Sequence, residues 1–533
     1  MPGIVGLFAR SEQIETRSSR KIFNKMADRL SHRGPLSKFS QKLPTGIVRL
    51  GVFSQKPINF ENKFGDRFVR HIIVDECQEI NFIPYTPVFR ILDPRHRQSD
   101  IYGTQMINAI GVTEDNRILV FRSVDGARPL YYAELNYGLA LSSEKKGIWE
   151  ITKEEPKVFD PGSMLTVLED GTWKFEKIQS YTRSERVIDP AALLTLLGVE
   201  LDDFEETFTE RKDEIDFVLN QLSWILRSLI YPQPQGRIIG VLFSGGVDSS
   251  LIADLVRRQA GNNTRLISVA AADSRDSRTT RRAASRISLD NMIVDFDEDI
   301  VWNILPEVIY AIESTKRMDV EIAIPFFLAA KKAREEGIRY LVSGQGPDEL
   351  FAGYSRYERF LTDDGAEKVA VELWTDFSVS HEVNIVRDEK VMAYHGINTM
   401  FPYLNVNLCN LAFTLPIELI LDPSKKPSRK IIFREAAQWL DIPEEIALAQ
   451  KRATQFSSGS TKMLRNAVKK YVENAKVLSK KEMSILTLKV IHTIASEIGM
   501  PGAQRPKEEL VMDMGPTQKL IERVGRLPTR NLG

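Results

Sequence analysis

The sequence has almost no cysteine. Cys77 and Cys409 are the two thiols in 533 residues, which excludes a disulfide framework and matches a chain kept in a reducing compartment. Long apolar runs are missing too. Nothing approaches the roughly 18 consecutive apolar residues of a membrane span, and the N-terminus lacks the basic start and apolar core of a signal peptide. A cytoplasmic location is therefore expected. Nor is there an excess of charge: Lys plus Arg and Asp plus Glu both total 72, so no global field draws the chain to nucleic acid or to a membrane. Internal repeats and low-complexity tracts are also lacking.

What is present is an ordinary globular composition, 43% hydrophobic and 27% charged, in a length that suggests two or more domains. One stretch organises the rest. Ile238-Ile239-Gly240-Val241-Leu242-Phe243 is a β-branched, apolar run of the kind that forms a buried parallel strand, and Leu251 onward has helical character. Ser244-Gly245-Gly246-Val247-Asp248-Ser249-Ser250 lies between them. Its glycines permit tight curvature, and the helix start adds unpaired N–H donors and a positive dipole end, so a phosphate or pyrophosphate suits it. The pattern is neither G-x-x-x-x-G-K-[ST] nor G-x-G-x-x-G. It resembles the S-G-G-x-D-S-S loop of enzymes that split ATP into AMP and pyrophosphate. The resemblance implies that Asp248 helps to hold magnesium on the leaving pyrophosphate and that the serines hydrogen-bond it.

Upstream, Met1-Pro2-Gly3-Ile4-Val5-Gly6-Leu7-Phe8 has the character of a buried strand, and Met26–Pro35 that of a helix end broken at Gly34-Pro35. With Arg49-Leu50, Asp125–Tyr132 and Leu139–Lys146, these stretches resemble the class II glutamine amidotransferase domain of glutamine-hydrolysing (class B) asparagine synthetases. That family begins Met-Cys-Gly-Ile-x-Gly and carries His-Arg-Gly-Pro-Asp, where this chain has His32-Arg33-Gly34-Pro35-Leu36. Two departures matter. Pro2 stands where the family has its nucleophilic Cys and supplies neither a thiol nor a primary amine. The glutamine-binding Asn-Gly-Glu is replaced by Val74–Asn81, within which Cys77 is a bystander thiol rather than a substitute nucleophile. An amidotransferase-like domain that has lost its chemistry is the expectation.

Beyond an acidic connector (Glu200, Asp202, Asp203, Glu205, Glu206) and a helix over about 210–230, strands and helices alternate. Strands are expected at Ile238–Phe243, Leu266–Ala270, Met292–Phe296 and Arg339–Val342, and helices at Leu251–Gln259, Ser277–Ile287, Ile300–Ile312 and Ile324–Glu335. This order predicts a doubly wound parallel sheet with ligands beyond the carboxyl ends of its strands. Ser343-Gly344-Gln345-Gly346-Pro347-Asp348-Glu349-Leu350-Phe351-Ala352-Gly353-Tyr354 follows one such end and resembles the synthetase signature S-G-E-G-x-D-E-L-F-G-G-Y. Asp248 and Asp348, at neighbouring strand ends, form a pair able to share a hard cation with pyrophosphate oxygens. Gln345 replaces the usual Glu and cannot accept a proton at neutral pH; the acceptor is therefore open.

Asn384–Lys390 and Phe401-Pro402-Tyr403-Leu404 resemble the family's N-L-x-R-x-D-+ and V-P-F-L-D, which implies that Asn384 and Arg387 lie near the amino-acid substrate. Arg387 has the fork to bind a carboxylate bidentately. Lys451–Gly459 resembles the late loop K-x-Q-F-S-x-G, with Lys451 or Arg452 neutralising phosphate charge. Adenine is expected near Leu242, Val269 and Gly344.

The fold class expected is α/β: an N-terminal Ntn-type α+β amidotransferase-like sandwich, then a doubly wound ATP pyrophosphatase domain with a helical C-terminal part. The divisions are 1–182, a connector 183–209, the synthetase domain 210–461, and an extension 462–533 with helices at Met463–Val477 and Lys480–Ile498. The function implied is an asparagine synthetase-like ligase using ATP and Mg2+ and working through an acyl-adenylate. Aspartate is its expected acceptor, and ammonia rather than glutamine its donor, either ambient or delivered by a separate glutaminase. An adenylating ligase acting on another carboxylate, ring closure by an intramolecular amine as in β-lactam synthetase-like enzymes, and a non-catalytic ATP-binding scaffold are the alternatives. The oligomeric state, with a homodimer among the options, is left open.

Overall fold

The computed structural model describes residues 3–10, 14–53, 69–75, 106–113, 116–152, 154–168, 170–181, 183, 186, 211–230, 237–271, 275–450, 458–503 and 510–527. Its first strand, β1 (Gly3–Arg10), is buried almost throughout because both of its faces are covered. Ile4 and Phe8 point into one cluster with Val48, Leu50 and Ile110. Val5, Leu7 and Ala9 point into another with Phe23, Met26 and Ala27 of the helix Thr16–Asp28. Side chains alternate along a strand, so a continuous apolar run is what a two-faced interior strand requires.

The other strands of this part are β2 (Leu36–Lys42), β3 (Gly46–Phe53), β4 (Val69–Asp75), β5 (Asn108–Thr113), β6 (Ile118–Arg122), β7 (Tyr131–Leu135), β8 (Gly138–Ser142), β9 (Lys157–Val158), β10 (Ser163–Val167) and β11 (Trp173–Lys177). They form a six-stranded sheet, β2-β3-β1-β8-β7-β9, and a five-stranded sheet, β11-β10-β6-β5-β4, with antiparallel pairing throughout. Val48, Leu50 and Val52 of one sheet meet Val112, Val120 and Leu165 of the other in a shared core. Full burial of each such side chain stabilises by about 1.5–3 kcal/mol. The result is an α+β sandwich.

The second part is built on β12 (Ile239–Leu242), β13 (Thr264–Ala271), β14 (Asn291–Phe296), β15 (Tyr340–Val342) and β16 (Asn398–Met400). All pairs are parallel, and the order is β14-β13-β12-β15-β16. Strand order therefore reverses between β12 and β15. In open sheets of this kind, that reversal opens the ligand crevice outside the carboxyl ends.

Four differences from the sequence-based expectation are local. The helix after β12 runs Val247–Ala260, so Asp248, Ser249 and Ser250 belong to its first turn rather than to the preceding loop. The helix expected from Ile324 starts at Arg317, with Pro325 inside it, although proline is commoner at a helix start. β16 is a polar three-residue strand, Asn-Thr-Met, too short for a period-2 pattern to register. The C-terminal helix expected over Met463–Val477 is Ser460–Tyr471, ended by Val472 in an extended conformation, and a separate 3-10 turn at Ala475–Val477 follows a left-handed Asn474 at φ 60°. Lys480–Glu497 is helical, opened by a Ser479/Glu482 capping box. No helix among the described residues is long and apolar enough to cross a membrane.

Candidate active site at the sheet reversal

Three loops meet above the reversal. The loop after β12 carries Ser244, Gly245 and Gly246. Gly245 is held at φ +75°, a conformation that costs other L-residues about 1–2 kcal/mol. Inside the loop, the Ser244 amide donates to Ser249 Oγ (3.2 Å), the two hydroxyls lie 3.1 Å apart, and Ser249 Oγ donates to the Gly246 carbonyl (3.2 Å). Ser244 is exposed and Gly246 and Asp248 half-buried, whereas the Val247 and Ser250 side chains turn inward. The loop thus offers a ligand Ser244, backbone amides and one carboxylate, at a helix start whose dipole favours an anion.

The loop after β15 leads into the short helix Pro347–Leu350, which carries Asp348. The loop after β16 carries Tyr403, whose hydroxyl donates to the Asp248 carbonyl at 2.9 Å and ties the third loop to the first.

The centre of the site is a residue that motif reading passes over. Lys430 Nζ lies 2.8 Å from both Asp248 carboxylate oxygens and 2.7 Å from Asp348 Oδ1. Burial pushes its pKa down, and the Asp248 carboxylate opposes that shift. Lys430 precedes the helix Ile431–Trp439 in a left-handed conformation, φ 58°. Arg434 anchors this corner: its Nε donates to the Arg429 carbonyl (2.8 Å) and Nη1 to the Ala449 carbonyl (3.0 Å). The only sequence signal was a basic run, Lys425-Lys426-Pro427-Ser428-Arg429-Lys430, which looks like a solvated turn. Gly353 is required by the same centre, since a Cβ there would stand 1.9 Å from Asp348 Oδ1 and 2.5 Å from Lys430 Cε.

Two carboxylates that converge on one ammonium are a donor set that fits Mg2+, which is commonly held by one or two carboxylates together with phosphate oxygens and water. Among the described residues, no group of three or more His, Cys, Asp or Glu is arranged to hold a metal ion, so phosphate and water would complete its coordination.

Beside this centre is a second group. Gln345 Nε2 donates to Asp388 Oδ2 (2.9 Å), and Arg387 Nε donates to Asp388 Oδ1 (2.8 Å). Burial raises the Asp388 pKa, against the Arg387 charge and the Gln345 hydrogen bond. Arg387 thus spends its Nε on Asp388 Oδ1, while its Nη2 lies 2.7 Å from the same oxygen without making a hydrogen bond. Nη1 donates to the Val383 carbonyl (3.1 Å). Asn384 Nδ2 (3.0 Å) and the Tyr354 hydroxyl (2.5 Å) both donate to Glu349 Oε1. Burial raises the Glu349 pKa as well.

Leu242 and Val269 lie half-buried in one cluster with Met292 and Val294, an apolar ledge along β12, β13 and β14. Gly344 is half-buried on the β15 loop. Lys451 and Arg452, Pro2 and Cys77, and most of the acidic connector lie outside the described residues. Cys409 is buried, and that burial drives its thiol pKa up.

Fold and site together define a doubly wound nucleotide-type domain with paired carboxylates at its reversal. The asparagine synthase family model matches residues 235–364 and 360–500. A protein of Methanocaldococcus jannaschii named as a glutamine-hydrolysing asparagine synthetase is 27% identical over 399 residues, 67% of this chain and 69% of that one. The glutamine-hydrolysing asparagine synthetase of Homo sapiens is 27% identical over 383 residues, 68% and 65% of the two chains; that of Lotus japonicus is 25% identical over 368 residues, 65% and 56%. The matches thus span between 56% and 69% of these relatives' lengths. The chain belongs to the asparagine synthase family. Among solved structures, a glutamine PRPP amidotransferase from B. subtilis with ADP and GMP aligns over 56% of this chain and 92% of that one, at 11% identity and a TM-score of 0.25.

Proposed function

We propose that the chain is an amide ligase of the asparagine synthetase type, with aspartate as acceptor and ammonia as nitrogen donor. The observation that carries this reading is the meeting of Asp248, Asp348 and Lys430 where β12 and β15 part. In the proposed reaction a carboxylate oxygen of the acceptor attacks the α-phosphorus of ATP, and the bond to the bridging oxygen breaks to release pyrophosphate. Ammonia then attacks the acyl carbon, loses a proton, and AMP departs. Ser244 and the Gly245–Val247 backbone would hold the pyrophosphate, and Leu242, Val269 and Gly344 the adenine. Asp248 and Asp348 would hold Mg2+, which when bound neutralises charge on the departing pyrophosphate. Lys430, and Lys451 from the late loop, would add positive charge there. Gln345 and the Arg387–Asp388 pair would border the acceptor. Domain divisions at 1–182, 183–209, 210–461 and 462–533 accompany this reading.

The donor assignment rests on Pro2, which precedes Gly3-Ile4-Val5-Gly6 where the family motif has Cys, and which cannot perform thiol chemistry. Purified protein with ATP, Mg2+, aspartate and ammonium is expected to yield AMP and asparagine in equal amounts, and to release no glutamate from glutamine. Glutamate appearing in step with AMP would overturn the donor assignment. AMP formed only with a different carboxylic acid would overturn the acceptor.

Gln345→Glu gives a pH-dependent result. Two carboxyl groups about 3 Å apart cannot both ionise easily, and the Asp388 pKa is already raised by burial. When protonated, the new Glu donates to Asp388 as the amide does. As pH rises the pair loses its shared proton, and repulsion disturbs Arg387. The acceptor KM of the variant is expected to approach wild type at the acid end of the profile and to rise with pH. A KM ratio that is flat from pH 6 to pH 9 would remove Gln345 from the acceptor side.

A further inference from the structure

The helix Val386–Tyr394 carries four consecutive charged residues, Arg387, Asp388, Glu389 and Lys390, which are 4, 0, 0 and 3% exposed. Successive helical side chains point about 100° apart, so burial of four in a row means that the helix is enclosed on all sides. A π-helical turn, His381–Ile385, leads into it, a feature found frequently at functional sites. One side meets the catalytic half of the chain through Asp388, Gln345 and Arg387. The other side meets the N-terminal sandwich.

That second contact is a closed series of buried charges. Arg33 Nη1 and Nη2 donate to the two Glu389 carboxylate oxygens at 2.9 and 3.0 Å, and Arg33 Nε donates to Glu144. Glu144 pairs with Lys146, Lys146 lies 3.3 Å from Glu313, and Glu313 pairs with Lys390. The Arg128 guanidinium stands 3.7 Å from Glu389. Neighbouring cations pull the Glu144 and Glu313 carboxyls below their ordinary range despite burial. Arg33 belongs to the His32-Arg33-Gly34-Pro35 stretch, whose resemblance is to glutaminase machinery, yet its fork is spent on the synthetase half.

Buried ion pairs contribute little net stability compared with apolar packing; their best-attested use is to select one register. A bidentate fork accepts one rotation of the Glu389 carboxylate and hence of its helix. A one-residue rotation would carry Asp388 away from Gln345. We infer that the N-terminal domain is a positioning element for the acceptor side, and that Arg33 is a positioning residue acting through Glu389 on Asp388 and Gln345. This rests on the acceptor placement proposed above.

The test uses the full chain with Glu389→Gln, which is isosteric and neutral, and Arg33→Lys, which keeps the charge but loses the fork. Acceptor and MgATP dependence of AMP release are measured, together with amide hydrogen exchange over 386–394. Expected are an acceptor KM raised about tenfold in Glu389→Gln, a smaller rise in Arg33→Lys, and an MgATP KM within about twofold of wild type. Faster exchange should be confined to this helix and its contacts. Wild-type acceptor KM and exchange in a folded Glu389→Gln variant would overturn the inference, and so would an equal rise in both KM values. If the unmodified chain releases no AMP with any acid, the ligase reading itself fails. Exchange then decides alone: unchanged protection of 386–394 in Glu389→Gln overturns the positioning role, and selective loss supports it.

Discussion

Lys430→Met is expected to lower AMP release by roughly 10²–10³-fold, the usual consequence of removing one preorganised charge partner from developing transition-state charge. The same change leaves Asp248 and Asp348 facing each other with no cation between them. Removing one partner of a buried pair costs about 3–5 kcal/mol. The low end applies here, because 20% of the Asp248 side chain is exposed and water screens it. A second readout follows from that repulsion. Added Mg2+ should raise the melting temperature of Lys430→Met more than that of the wild type, since the variant removes the ammonium that both carboxylates share. Turnover at the wild-type rate would mean that the three-way contact is not at the phosphate site. A Mg2+ response equal to that of the wild type would mean that the two carboxylates do not form a cation site.

Asp348→Asn should produce an equally large loss of turnover with a smaller loss of stability. Asn keeps the shape of the side chain, and the backbone bond from the Gly353 amide to the Asp348 carbonyl (2.8 Å) is untouched. Lys430 retains both of its contacts to Asp248. Because Lys430 stays paired, the stability change is expected at about 1.5–3 kcal/mol, the scale of a contact to a charged group. Loss of half of a shared carboxylate pair should still reduce AMP release by about 10²-fold or more. Thermal unfolding and single-turnover AMP release on the same preparation separate the two effects. A variant that stays active places Asp348 outside the chemistry, and one that loses activity only in proportion to folded protein makes it a structural residue.

The parts of the site legible in the sequence are those in which strand, turn and helix are contiguous. Ile239–Leu242 announces a buried strand by composition, the small residues Ser244, Gly245 and Gly246 mark the turn after Phe243, and the helix begins at Val247. Asp348 was readable for the same reason, since Pro347 and two acids mark a helix start. Boundaries were less legible where two signals compete, as at Pro325, where a proline that usually opens a helix sits within a buried one. Arg387 shows a different limit. Its type suits a substrate carboxylate, but residue type carries no information about whether the adjacent Asp388 already takes its Nε.

Sequence alone determined the alternation of strands and helices from Ile239 to Val342, the two strand-to-helix turns that carry Asp248 and Asp348, and the disagreement of Pro2 with thiol chemistry. These depend on short-range periodicity, on turn geometry and on the chemistry of single residues, all of which are local. The tertiary structure decided that the two loops flank one reversal, because that follows from which strand lies beside β12 rather than from any stretch of chain. It also decided that Lys430, 182 positions from Asp248, joins both carboxylates, and that Arg33 reaches Glu389 across 356 positions. Charges so far apart meet because packing apolar faces in two domains leaves their heads no water to face. Each must then find the one partner that the fold has brought within 3 Å.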